Sequence, residues 1–133
     1  MNATEGDAVN NQRSVLIVDQ SEENREVLRT VLERHGVRII TASHTKEGAD
    51  LARRHQPDVI VLDTEYDSSD LRIFCGEDGE DSEYNKSSMI LLGKVRRNPP
   101  QVPQGEFFAK PYHYGPLIRR IEEILDNIPR KVA

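Results

Sequence analysis

Asp19, Asp63 and Lys110 are the residues of this 133-residue sequence whose types and placement could act together on one substrate. Asp19 closes the apolar run SVLIVD, Asp63 closes DVIVLD, and Lys110 stands before proline in EFFAKP. Each run reads as a strand, so each of the three residues falls at a strand's carboxyl end. In an open parallel sheet, ligands bind outside those ends, where the winding direction reverses. Two carboxylates can hold a hard divalent cation such as Mg²⁺ through oxygen, and a lysine ammonium beside them neutralises a third centre of negative charge. Such a set suits a phosphoryl group. A lone strand-end aspartate is commonly a turn residue, and a lysine before proline is commonly solvated. Their coincidence in one place is what points to chemistry.

The elements that must position these residues follow from the pattern. Continuous apolar runs rich in β-branched residues suit strands buried on both faces, which SVLIVD and DVIVLD satisfy. Between them, Ser21 can cap a helix whose first turn carries Glu22 and Glu23, whose stripe is Val27, Leu28, Val31 and Leu32, and which stops at His35-Gly36. VRIITA reads as a second strand. Thr45 can cap a short helix that buries Ala49, Leu51 and Ala52 and ends near Gln56-Pro57. SMILLG reads as a fourth strand and EFFAKP as a fifth. Pro116 opens a last helix with Leu117, Ile121, Ile124, Leu125 and Ile128 on one face. Strands alternating with helices predict an α/β fold with a doubly wound, five-stranded parallel sheet.

Two stretches break the alternation. From Thr64 to Glu83 there are eight acidic residues against Arg72 alone, and only LRIFC is apolar enough for a turn or two of helix. KVRRNPPQVPQGE, between the fourth and fifth strands, holds three prolines, which remove amide donors and clash with helical geometry. The helices expected there are reduced or absent. The strand MILL then needs cover that LRIFC, Val95 and Val102 would have to provide, and an exposed remainder would favour a homodimer or a different protein partner on that face.

Composition narrows the function classes. The chain has room for one core: residues 1–13 read as a flexible polar tail, 14–128 as the domain and 129–133 as a short C-terminal tail. Cys75 is the only cysteine, so neither an intrachain disulfide nor a cysteine-based zinc cluster can form, and a reducing, cytoplasmic setting is expected. No apolar stretch approaches the roughly 20 residues that span a bilayer. With a net charge of -5 and only Lys94, Arg96 and Arg97 as a basic cluster, neither nucleic acid nor membrane is expected as a partner. His35, His44, His55 and His113 lack metal-ligand spacing. The run GEDGEDSE lacks a calcium-loop signature and reads as a solvated spacer.

Taken together, VLIVDQSEENREVLRTVLERHG, a mid-chain PDVIVLD and a late KP after an aromatic strand resemble the receiver domain of two-component response regulators, from Ser14 to about Ile128. The 30 residues from Asp63 to Gly93 (93 − 63) match the family's spacing between acceptor aspartate and switch hydroxyl. The resemblance implies a flavodoxin-like signalling module without enzymatic activity. It makes Asp63 the phosphoacceptor, Asp19 an acidic metal-site residue, Lys110 the phosphoryl partner and Phe107 the switch aromatic. It also implies Mg²⁺ through Asp19 and Asp63, and a histidine kinase, a phosphotransfer protein or another signalling protein as partner.

Departures from the family pattern fall on the site itself. Where receivers place a second acid after strand one, this chain has Gln20, whose amide can coordinate but brings no charge, so Mg²⁺ is expected to bind weakly or not at all. Gly93 stands where a Ser or Thr hydroxyl holds a phosphoryl oxygen. Such a bond contributes roughly 1.5 to 3 kcal/mol, and without it the usual coupling to loop movement is lost. Asp67 and Leu71 replace the proline and glycine that shape the loop after the acceptor. Glu65 lies where a backbone carbonyl reaches the metal, and its side chain could substitute as a carboxylate. Two function classes follow: a single-domain phosphorelay receiver with impaired metal and switch positions, acting by docking with no output domain after the last helix, or a pseudo-receiver that keeps the fold as a phosphorylation-independent interaction module. A nucleotide or flavin enzyme ranks below both, because DQSEEN lacks the glycines that cradle phosphate.

Overall fold

The computed structural model describes residues 12–63, 87–93 and 105–128. In chain order they form β1 (Ser14–Val18), α1 (Glu22–Arg34), β2 (Arg38–Ala42), α2 (Thr45–His55), β3 (Val59–Asp63), β4 (Ser88–Gly93), β5 (Gly105–Ala109) and α3 (Tyr114–Asp126). The sheet order is β2-β1-β3-β4-β5 and every pairing is parallel. The chain moves outward from β1 to β2, then returns to place β3 on the other side of β1. The winding direction therefore reverses between β1 and β3, the two strands that lead into Asp19 and Asp63.

Alternate residues along each strand face opposite ways, so an all-apolar strand needs cover on both sides. Val15, Ile17, Val59, Val61, Ile90 and Leu92 join Leu28 and Leu32 of α1 and Leu117, Ile121 and Leu125 of α3 in one buried cluster. Leu16, Val18, Ile60, Leu62, Met89 and Leu91 join Ala49 and Ala52 of α2 in the other. Edge strand β2 is only half-buried along most of its length. The expected doubly wound sheet is present, with the first and last helices packed on the same face.

Several local expectations need correction. Ser21 caps α1, its side chain accepting from the Asn24 amide at 3.2 Å, but Thr45 does not cap α2. His44 occupies the cap position with no side-chain bond, and the Glu47 carboxylate instead accepts the Ser43 amide at 3.1 Å, so the helix is entered one residue earlier. Pro116 is the third residue of α3, not the first. All amides of a first helical turn lack intrahelical acceptors, so proline costs no bond at either place. Met89, Ile90, Leu91 and Leu92 are 3%, 0%, 1% and 0% exposed. That burial removes the reason for a partner, a second copy included, to complete the face over β4. The stretches expected to form reduced helices, with LRIFC, Val95 and Val102, lie outside the described residues, as do Asp67 and Leu71.

Candidate functional site

Parallel pairing brings the expected residues to one edge. Asp63 is the last residue of β3, Asp19 follows β1 directly, and Gly93 ends β4. The Lys110 amide donates to the Gly93 carbonyl at 2.7 Å, which extends the β4-β5 ladder by one residue and fixes the start of the lysine side chain. From there Lys110 Nζ reaches Asp63 Oδ2 at 2.8 Å, with the two side chains 20% and 7% exposed. The Lys110-Pro111 peptide is cis.

Asp19 is held on all sides by its own chain. Its amide donates to the Ala42 carbonyl at 3.1 Å, and the residue is 3% exposed. Oδ1 accepts the Ser21 amide at 2.8 Å and Oδ2 accepts Asn24 Nδ2 at 3.3 Å. Burial pushes the Asp19 carboxyl above the usual carboxylate range, and the nearby Asp63 charge pushes the same way, while the bonds from Ser21 and Asn24 and the Lys110 charge oppose them. Two neighbouring carboxylates served by one lysine make a site that a further cation would relieve.

The donor set fits a hard cation. Each Asp19 oxygen keeps a lone pair beyond its hydrogen bond, and Asp63 supplies oxygen beside it. Gln20 is exposed, and Glu65 lies outside the described residues. Among the described residues no group of three or more His, Cys, Asp or Glu gathers as a metal site. Gly93 is buried and offers no side-chain donor. Phe107 packs partly buried against the cluster that contains Leu91.

Three residues at the edge were not expected from sequence. Tyr114 Oη donates to Asn24 Oδ1, so α3 is tied through Asn24 to Asp19. Tyr112, two residues after Lys110, meets Tyr114 edge to face at 5.8 Å. The signal was present but weak: YHY directly after KP holds two of the chain's four tyrosines, and Asn24 sits in the first turn after the capping serine. A cleft of about 330 Å³ lined by Arg13, His35 and Glu122, among others, lies at the amino ends of the strands, away from this edge.

Residues 15–70 match the response regulator receiver domain family model, a span that runs from β1 past Asp63. The chain carries a response-regulator receiver domain. Relatives include the "Probable transcriptional regulator ycf27" of Guillardia theta, 30% identical over 116 residues covering 86% of this chain and 46% of that protein. Another is the polar-differentiation response regulator DivK of Brucella anthropi, 39% identical over 51 residues, 38% of this chain and 42% of that one. The chain thus spans about half the length of the curated relatives it matches. Among solved structures, the chemotaxis protein CheY4 of Vibrio cholerae shares the fold at a TM-score of 0.64 and 18% identity, covering 85% of this chain and 98% of that one. A receiver-modulated diguanylate cyclase from Pelobacter carbinolicus matches at a TM-score of 0.64 and 23% identity, over 86% and 92% of the two chains. The receiver is a signalling domain, and its five-stranded parallel sheet is the one expected from the sequence. No helix among the described residues is long and apolar enough to cross a membrane.

Proposed function

We propose that this receiver domain is the phosphoacceptor of a phosphorelay, with Asp63 taking a phosphoryl group from a phosphohistidine on a histidine kinase or phosphotransfer protein. The observation that supports it most is the Lys110 ammonium at 2.8 Å from Asp63 Oδ2, on a carboxylate side chain only 7% exposed and beside Asp19. In the transfer, an Asp63 carboxylate oxygen bonds to phosphorus as the phosphorus–nitrogen bond breaks, and the leaving imidazole nitrogen takes a proton from solvent. Lys110 then moves its charge from the carboxylate to a phosphoryl oxygen. Asp19 and Asp63 are the residues that would hold Mg²⁺, which when bound supplies further neutralisation of phosphoryl charge. Gln20 leaves that cation weakly held, and Gly93 leaves the phosphoryl group without the hydroxyl usual on β4. Signalling then proceeds by docking to another protein.

A second reading, the phosphorylation-independent pseudo-receiver, draws on one observation: both Asp19 oxygens already accept bonds from their own chain. The two readings separate on intact-mass measurement after incubation with a small phosphodonor and Mg²⁺. The phosphorelay reading expects one added phosphate on the parent and none on Asp63→Asn. A parent that gains no mass, or a variant that still does, overturns it.

A further inference from the structure

Tyr112 carries a hydroxyl that is unsatisfied among the described residues: Oη is buried with no hydrogen-bond partner there. The ring meets Tyr114 edge to face, Tyr114 is bonded to Asn24, and Asn24 is bonded to Asp19, so contacts run from Tyr112 to the acidic site. The charged groups acting on the phenol are Asp19, Lys110 and Asp63, the pocket's own members. An unpaired buried hydroxyl costs on the order of 1–3 kcal/mol, and native structures keep few of them. Phenylalanine would pack the same ring without that cost.

We propose that the Tyr112 hydroxyl is a phosphoryl-binding donor, giving its hydrogen bond to an oxygen of the phosphoryl group carried on Asp63. The inference rests on the phosphoacceptor reading and adds a ligand contact to it. A phosphoryl group brings acceptor oxygens into a pocket whose described side chains otherwise offer it Lys110. Gly93 gives no side-chain donor from β4, and Tyr112 in the loop after β5 takes that role. Burial, followed by the Asp19 charge, pushes the phenol up to about 12, so the oxygen keeps its proton and remains a donor at neutral pH.

The test compares the full chain with Tyr112→Phe, using beryllofluoride as the tetrahedral phosphoryl mimic in the presence of Mg²⁺ and titrating affinity by calorimetry. Thermal midpoints are read without ligand. Tyr112→Phe should keep or raise the unliganded midpoint, because an unsatisfied hydroxyl is removed. Its affinity for the mimic should fall roughly tenfold to 150-fold, the range of one hydrogen bond to a charged group. Unchanged affinity overturns the proposal, and a lowered unliganded midpoint with unchanged affinity assigns the residue to packing. An equal loss for Mg²⁺ alone also overturns it, placing the hydroxyl on the cation's shell. A parent that binds no mimic and takes no phosphate overturns the phosphoacceptor reading and this proposal with it, whereas a binding parent with an indifferent variant overturns only this proposal.

Discussion

Replacing Lys110 with methionine would keep most of the aliphatic stem and remove the charge that faces Asp63. The parent pair is 2.8 Å apart, with side chains 20% and 7% exposed, so water screens it poorly. Unit charges about 4 Å apart attract by on the order of 4 kcal/mol at an effective dielectric near 20. Removing one partner of a buried pair also leaves the other desolvated and uncompensated, for a measured range of about 3–5 kcal/mol. Asp19, itself 3% exposed, adds a second carboxylate to the same pocket. We expect Lys110→Met to lose about 3 kcal/mol at pH 7, a roughly 150-fold change in the folded-to-unfolded ratio. With a urea m-value near 1.5 kcal/mol/M, the midpoint should fall by about 2 M. The deficit should shrink on acidification, because the Lys110 charge is one of the influences that lower the Asp19 carboxyl, and without it Asp19 protonates more readily. Adding Asp63→Asn should return much of the loss, since the orphaned charge is then gone. A Lys110→Met variant within about 0.5 kcal/mol of the parent would instead mark the pair as effectively solvent-screened, because that is how solvent-exposed pairs behave.

Further outcomes follow from the same site. Gln20→Asp restores a second acid after β1 and should tighten Mg²⁺ binding measured by calorimetry; equal affinities in parent and variant would remove the charge argument. Asp19 has a folded-state carboxyl raised by burial, so its ionisation penalty is present at neutral pH and relieved as pH falls through its raised value. The stability of the parent relative to Asp19→Asn should therefore improve on acidification and level off below about 3.8, and a difference independent of pH would contradict it. Ser21→Ala removes the cap of α1 and should cost about 1 kcal/mol in urea unfolding, with no loss being the contrary result.

The fold was legible because the central positions of parallel strands covered on both faces must be apolar, and VLIV, VIVL and MILL are. The stripes of the first and last helices named the buried Leu28, Leu32, Leu117, Ile121 and Leu125 directly. Helix entries were less legible. Thr45 and Pro116 are each compatible with more than one position in a first turn, and the deciding contact at α2, Glu47 to the Ser43 amide, is a side-chain choice that residue type alone does not fix. At the site, Asp19, Asp63 and Lys110 could be placed because each follows or ends a recognisable strand. Asn24, Tyr112 and Tyr114 could not, since the chain of contacts from α3 to Asp19 joins residues 90 positions apart and depends on how α3 packs over α1. Cover over β4 was not legible for a related reason: loss of helical pattern between strands says nothing about whether β4 is covered, and Met89–Leu92 are buried.

Phosphorylation of Asp63, as proposed above, produces an acyl phosphate. Borohydride reduces that anhydride to the alcohol and leaves free carboxylates untouched, so peptide mapping after phosphodonor treatment and reduction reads the acceptor position directly. A reduced side chain is expected at position 63 alone. Reduction at Asp19 or at any other carboxylate, or at none, would contradict it.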